Sequence, residues 1–108
     1  IKVSLFLSSL MKNVVLYLLA GTRGGETRAV ILVGLKRRPM NAHQLSQALK
    51  LDYKTIQHHM RVLVENRMVA VINQGKYGAA YFISPELEGF WKDFREIWDR
   101  VGKKVLKN

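Results

Sequence analysis

The sequence predicts a mainly α-helical domain with one small β-hairpin, which is an α+β fold. Its 108 residues, of which 48% are hydrophobic and 24% charged, have the size and balance of a single globular domain. Apolar residues at helical spacing fill most of the chain, but residues 67–84 form two short runs rich in Val, Ile, Tyr and Phe. We therefore treat 1–108 as one domain, with a core over 26–84 between an N-terminal helix (1–20) and a C-terminal helix (86–106).

The N-terminal run "IKVSLFLSSLMKNVVLYLLAG" predicts an amphipathic packing helix. Its apolar residues recur at helical spacing: Val3, Phe6, Leu7, Leu10, Val14 and Leu18. Lys2, Lys12 and Asn13 interrupt the run, whereas a membrane-spanning helix needs about 20 mainly apolar residues. Contact with a membrane is the alternative interpretation.

The glycine-rich stretch "AGTRGGETR" has two interpretations, a phosphate cradle or a loop that starts a helix. It lacks the Lys-Ser/Thr ending and the preceding strand of a nucleotide-binding loop, so we predict the loop. The next segment, "ETRAVILVGLKRR", predicts a helix that ends before Pro39. Its expected buried residues are Ala29, Ile31, Leu32 and Leu35.

Two short helices follow, joined by a tight turn. Asn41 is a good N-cap for "AHQLSQALK", whose inward residues are expected to be Leu45, Ala48 and Leu49. Asp52 ends the turn of residues 50–52 and is placed to cap "YKTIQHHMRVLVEN". This spacing predicts a helix-turn-helix.

The remaining segments predict a wing and a long helix. "RMVAVIN" and "AAYFIS" read as two strands around "QGKYG", whose glycines suit a hairpin turn. "ELEGFWKDFREIWDRVGKKVLK" reads as one helix with a broad aromatic stripe, which must pack on the domain, on a second copy, or on both. The order of elements is that of a winged helix-turn-helix with extra N- and C-terminal helices.

Charge and cysteine content narrow the class of partner. Eighteen Lys and Arg against eight Asp and Glu give a formal charge of +10, which favours a polyanion, either nucleic acid or an anionic membrane. The tail from Glu86 nearly balances its charges and is a poor candidate for the binding face. Because the chain has no cysteine, disulfides, thiol nucleophiles and cysteine zinc sites are excluded.

The run "MNAHQLSQALKLDYKTIQHHMRVLVENRMV" resembles the arsenic-repressor-like (ArsR-like) superfamily of winged-helix transcription regulators. Their recognition helices often carry Thr-Val-x-His-His-Leu-x-x-Leu, a pattern filled here by Thr55, Ile56, His58, His59, Met60 and Leu63. The loop over residues 21–25 is similar to that of archaeal members, some of which follow a membrane segment. The resemblance implies a cytoplasmic regulator, at the inner face of the membrane if an anchor lies upstream of Ile1.

The sequence departs from this superfamily in two respects. Its metal sensors bind through cysteines, often on the helix that matches "AHQLSQAL", so metal sensing is not implied, and we expect neither a metal nor a cofactor. Members commonly have Gly where Lys50 and Arg67 stand. We therefore expect left-handed backbone at Lys50 or a neighbour and at Asn66.

The helix over 53–66 predicts a face that contacts double-stranded DNA. Ile56, Met60 and Leu63 cluster on its inner side, with His59 at the edge, packing or hydrogen-bonding beneath the helix. The outer side offers groups that bond bases and phosphates, although an ordinary solvated face is the alternative. The predicted DNA contacts, including helix starts and the wing at 74–78, are Asn41, Tyr53, Lys54, Thr55, Gln57, His58, Arg61, Lys76 and Tyr77.

The terminal helices predict a homodimer, with an interface formed by Leu7, Leu10, Val14, Phe90, Trp91, Phe94 and Trp98 as packing or dimer residues. A different class of function is a winged helix that serves as a protein-interaction module in a transcription or membrane-associated assembly. We find no catalytic constellation and no small-molecule ligand, so an enzyme is not expected. His58 and His59 are adjacent and diverge by about 100° on a helix, which does not suit one shared metal.

Overall fold

The computed structural model describes residues 2–73 and 78–107, with side chains over 9–73 and 78–101. Within these ranges the chain forms six helices and a two-stranded antiparallel hairpin, which confirms the predicted fold class. The elements are α1 (Lys2–Ala20), α2 (Gly25–Arg37), α3 (Ala42–Leu49), α4 (Tyr53–Glu65), β1 (Val69–Ile72), β2 (Ala80–Ile83), α5 (Pro85–Gly89) and α6 (Trp91–Lys107).

Both helices of the helix-turn-helix begin at the predicted N-caps. The side chain of Asn41 accepts a hydrogen bond from the Gln44 backbone N–H at 2.7 Å, and Gln44 Oε1 accepts from the Asn41 N–H at 2.9 Å. The Asp52 carboxylate accepts from the N–H groups of Lys54 and Thr55 at 3.0 and 3.3 Å. Each cap satisfies donors that the first helical turn leaves free, so the start of each helix is fixed locally.

Left-handed backbone closes both helices, but at one position the prediction was wrong. Lys50 has φ 55°, as expected. Asn66 keeps φ −96° and Arg67 adopts φ 59° instead. The Asn66 N–H still donates to the Val62 carbonyl at 3.1 Å, and the Met68 N–H reaches the Leu63 carbonyl at 2.9 Å. α4 therefore ends at Glu65 with Asn66 as its C-cap, and the left-handed residue of the Schellman-type turn that follows is Arg67.

The wing has a backbone partner on each side of Tyr81. β1 pairs with β2 so that Val69 lies opposite Ile83 and Val71 opposite Tyr81. On the other edge, Tyr81 exchanges two backbone hydrogen bonds with Met40, at 3.0 and 2.8 Å. The segment between α2 and α3 is thereby attached to the wing. The predicted contacts Lys76 and Tyr77 lie outside the described residues.

The C-terminal segment is two helices, so the prediction of a single helix from residue 86 was wrong. α5 ends at Gly89, and Phe90, with φ −105° and ψ 5°, separates it from α6. The Phe90 N–H donates to Leu87, and its carbonyl accepts from the Phe94 N–H at 2.9 Å. This break turns Leu87, Phe90 and Phe94 together into the core.

Burial along the core helices mostly follows the predicted faces. Leu45, Ile56, Met60 and Leu63 are buried, as are the four expected residues of α2 (Ala29, Ile31, Leu32 and Leu35). Ala48 is exposed, contrary to expectation. The inner stripe of α3 instead runs through Ala42, Leu45 and the half-buried Leu49, at spacings of three and four residues.

The first helix packs on α2 and α6 through its second half. Val15, Leu18 and Leu19 are buried there, Val14 is half-buried, and Leu10 remains 46% exposed. The side chain of Leu7 lies outside the described residues. Among the described helices, none combines the length and apolarity that crossing a membrane requires.

Gly25 allows the close approach of α1 and α2, which gives a stability test. A Cβ at Gly25 would lie 2.0 Å from the Leu19 carbonyl oxygen, so the helices must separate to admit it. We expect Gly25→Ala to lower the free energy of unfolding by about 2–3 kcal/mol, measured by urea unfolding.

The matched control is Gly89→Ala in α5, where a Cβ meets nothing within 4 Å. This change should leave stability unaltered or raise it by up to about 1 kcal/mol, because alanine restricts the unfolded chain. Equal effects of the two substitutions would contradict the close approach at Gly25.

Candidate nucleic-acid interface

One side of α4 is buried and the other is polar and exposed. Ile56, His59, Met60 and Leu63, at spacings of three and four residues, pack into the domain. The predicted outward residues are all exposed: Lys54, Gln57, His58 and Arg61. The structure thus brings together on one surface the α4 side chains that the sequence singled out.

Within this surface, Arg61 and His58 are neighbours. Arg61 Nη2 lies 3.4 Å from His58 Nδ1, a long contact between exposed side chains one turn apart. Guanidinium nitrogens only donate, so His58 Nδ1 is the acceptor in this contact. The remaining donors of Arg61 are free to bond a partner.

Two open grooves flank α4 on the side of the wing, and we name them after their walls. The recognition-helix groove, of about 580 Å³, is lined by Lys54, Gln57, His58, Met60, Arg61, Val64, Glu65 and Tyr81. The turn groove, of about 520 Å³, is lined by Asn41, Ala42, His43, Tyr53, Gly78, Ala79 and Tyr81. Tyr81 lines both grooves and was missed by the sequence reasoning, where it counted only as a strand residue.

The helix starts are less open to anions than the sequence suggested. The Asn41 side-chain oxygen is occupied by its cap, which leaves the amide NH₂ as the free part of that side chain. At α4, the Asp52 carboxylate occupies the N–H groups of Lys54 and Thr55 and adds a negative charge. Of the predicted residues here, Tyr53 is 46% exposed and Thr55 is also exposed.

Beneath α4, His59 contacts a buried arginine. His59 is 7% exposed and Arg28 3%, and Arg28 Nη1 lies 3.1 Å from His59 Nδ1. This confirms the expectation that His59 bonds beneath the helix. The Arg28 guanidinium also donates to the Leu18 carbonyl at 3.1 and 3.3 Å, to the Arg23 carbonyl at 2.8 Å, and to the Thr22 hydroxyl. Arg28 therefore links α4 to the end of α1.

Burial lowers the pKa of His59, and the neighbouring charges of Arg28 and then His58 lower it further. Burial also lowers the pKa of Arg28, which Tyr17 partly opposes, but a guanidinium stays protonated in proteins. Because Arg28 is a donor only, His59 Nδ1 must accept. We infer a neutral His59 ring with its proton on Nε2.

The glycine-rich loop makes room for this contact. Gly24 has φ 82°, and a Cβ on it would lie 2.6 Å from His59 Cε1 and 3.3 Å from Arg28 Nη1. Gly24 also precedes the first turn of α2. The stretch is thus a loop and helix start, as predicted, and its glycines bring backbone against His59.

The two adjacent histidines have different surroundings. Their ring centroids lie 5.4 Å apart at an interplanar angle of 59°, with His58 exposed and His59 buried. Among the side chains described, those of residues 9–73 and 78–101, no three His, Asp or Glu converge as a metal site would require.

The two aromatic pairs of the predicted dimer interface differ in exposure. Phe90 and Phe94 are 7% and 0% exposed within the chain, so their role is corrected to core packing. Trp91 stacks on Phe94 with ring centroids 4.6 Å apart and is half-buried, as is Trp98. Of these four aromatic residues, only Trp91 and Trp98 retain accessible surface that could contact a second copy.

The lowered pKa of His59 predicts that the protein loses stability in mild acid. The unfolded chain binds a proton near the ordinary pKa of about 6.5, whereas the folded chain binds it only at lower pH. The contribution of neutral His59 is therefore complete above about pH 7.5. It decreases as the pH falls through 6.5 toward the folded pKa.

Urea midpoints between about pH 5 and 8 measure this effect. His59→Gln should flatten the decrease between about pH 5 and 7, because glutamine accepts a hydrogen bond without titrating. The exposed neighbour supplies the control, since His58→Gln should leave the decrease in place. A wild-type profile that His59→Gln does not change would contradict the buried neutral histidine.

Comparison with known proteins agrees with this architecture. The model of the family described as "Bacterial regulatory protein, arsR family" matches residues 25–71, from α2 to β1. The crystal structure of a transcriptional regulator, HlyU from Vibrio vulnificus CMCP6, superposes with a TM-score of 0.62 at 18% identity, covering 91% of this chain and 99% of that one. None of the curated proteins matches the sequence. The chain thus carries a region similar to the ArsR family over residues 25–71, which includes the helix-turn-helix, and it shares the winged-helix fold of HlyU.

Proposed function

We propose that the protein is a sequence-specific double-stranded DNA-binding transcription regulator that acts as a homodimer. The observation that carries the proposal is the two-sided α4, buried through Ile56, Met60 and Leu63 and presenting exposed Lys54, Gln57 and Arg61. A formal charge of +10 supports a polyanionic partner. The proposal also agrees with the names of the matched family and of HlyU, both described as regulators.

The chemistry of the outward face fits the major groove. Arg61 suits the O6 and N7 acceptors of guanine, and Gln57 suits the N6 and N7 of adenine. Lys54, in the first turn of α4, is proposed to bond a phosphate. Tyr53 and Thr55, at the start of α4, are proposed as phosphate contacts that set the position of the helix. The wing over 74–78, with Lys76 and Tyr77, is proposed to contact the backbone or minor groove, although it lies outside the described residues.

The dimer is proposed to form through α1 and α6. Leu10 is 46% exposed, Val14, Trp91 and Trp98 are half-buried, and α1 packs against α6 within one chain. A second copy on this surface would place two α4 helices against half-sites about 34 Å apart. A regulator of this kind works on chromosomal DNA, in the cytoplasm. The membrane anchor upstream of Ile1 and the archaeal origin stay predictions.

Binding to genomic duplexes at several salt concentrations tests the proposal. We expect affinity to fall steeply with salt, because each Lys or Arg contact to a phosphate releases counterions. A slope near zero, or failure to bind any genomic duplex, would contradict DNA binding and favour the protein-interaction module.

Arg61 and Lys54 should have different effects on that binding. Arg61→Ala removes a base contact, so we expect it to weaken the preferred duplex by about 1–3 kcal/mol and to relax specificity at one position. Lys54→Ala removes a proposed phosphate contact, so it should reduce the salt slope by about one and weaken all duplexes alike.

Lys92→Ala is the control, since it removes one exposed charge from α6, outside the helix-turn-helix. It should leave affinity, slope and specificity nearly unchanged. Equal losses on every duplex for Arg61→Ala and Lys54→Ala would argue against base reading by Arg61.

The dimer is tested by placing a charge on the proposed surface. Leu10→Glu should shift sedimentation from dimer to monomer, because it would bury an unpaired carboxylate in the interface. Val30, 43% exposed on α2, provides a matched control, and Val30→Glu should leave the dimer intact. A monomeric wild type, or a dimer that tolerates Leu10→Glu, would exclude this interface.

A further inference from the structure

Tyr81 stands at the junction of the two grooves beside α4. It is half-buried on β2 and lines both the recognition-helix groove and the turn groove. It lies opposite Val71 in the hairpin, and its backbone C=O and N–H bond the N–H and C=O of Met40 at 3.0 and 2.8 Å. The position of its side chain relative to α4 is therefore set by the sheet.

The Tyr81 phenol is available as a hydrogen-bond donor. None of the hydrogen bonds among the described side chains uses its hydroxyl, and no described side chain has a polar atom that is buried without a partner. Burial raises the pKa of Tyr81, and the nearby Tyr53 raises it further, so the proton stays on the oxygen at neutral pH. Tyr53 lines the same turn groove.

The surroundings favour an anion as the acceptor. The recognition-helix groove is lined by the cations Lys54 and Arg61 and by the imidazole of His58, and the one acid in its lining is Glu65 at the end of α4. The turn groove adds His43 and the amide of Asn41. When a helix occupies the major groove, backbone phosphates run along its flanks, and both of these grooves border α4 on the flank next to the wing.

We infer that Tyr81 is a positioning residue of the DNA interface, whose phenol donates a hydrogen bond to a backbone phosphate beside α4. The inference rests on the proposed DNA binding and adds a contact from the sheet to those from the helix. Because the sheet fixes Tyr81 and the duplex fixes the phosphate, the contact sets how deeply α4 enters the groove.

Losing a neutral hydrogen-bond donor changes the salt dependence of DNA binding differently from losing a cation. A phenol releases no counterion when it bonds a phosphate, so its loss lowers affinity without altering the salt slope. A phosphate contact also carries no sequence information, so the loss is the same for preferred and scrambled duplexes.

Tyr81→Phe tests the inference because it removes only the hydroxyl. We expect binding to weaken about threefold to tenfold per half-site on preferred and scrambled duplexes alike, with an unchanged salt slope. Tyr17→Phe is the matched control, since it removes the hydroxyl of a tyrosine that is 63% exposed on α1. The Tyr17→Phe variant should bind DNA with the affinity of the wild type.

A second measurement uses duplexes in which single phosphates are replaced by neutral methylphosphonates. At the phosphate that Tyr81 contacts, wild type and Tyr81→Phe should bind equally, whereas elsewhere the variant stays weaker. This comparison holds even if the substitution also alters stability, because both proteins are measured on each duplex.

The outcomes separate the two proposals. If the wild type binds duplexes with a steep salt slope but Tyr81→Phe binds equally well, the Tyr81 contact is wrong and DNA binding stands. The Tyr81 contact is also wrong if Tyr81→Phe changes the salt slope or weakens binding to the preferred sequence alone. It is wrong as well if the variant stays weaker than the wild type at every methylphosphonate position. If the wild type binds no duplex, both proposals fail.

Discussion

The buried Arg28 guanidinium is the constraint on which the rest of the structure depends. A buried cation is costly unless its donors are bonded, and the two ion pairs among the described residues do not include it. Its partners are instead the carbonyls of Leu18 and Arg23, the Thr22 hydroxyl and His59 Nδ1. Because these acceptors belong to α1, to the following loop and to α4, one side chain holds three segments in a single geometry.

This link gives the recognition helix its orientation relative to α1, the helix proposed for dimer contacts. In a symmetric dimer, the position of α4 against α1 would determine the separation of the two reading surfaces. The glycines at 24 and 25 belong to the same constraint, since side chains there would collide with His59 and with the end of α1. His58 remains outside this network, free to meet a partner.

Features with local causes were predictable from the sequence. Asn41 and Asp52 cap their helices through bonds within three residues, and the inner face of α4 follows from helical periodicity. The break at Phe90 was not predictable, because it exists to turn two helices onto a core built from distant elements. Tyr81 was missed for a related reason, since only the sheet register places it between the grooves.

The protonation state and tautomer of the His59 ring test the Arg28 contact most directly. Long-range proton–nitrogen NMR spectra of the histidine side chains at neutral pH distinguish the two neutral tautomers from the imidazolium. The contact with Arg28 predicts that His59 is neutral, with Nε2 protonated and Nδ1 accepting. A protonated Nδ1, in either the other tautomer or the cation, would show that Arg28 does not donate to His59 and would contradict this account.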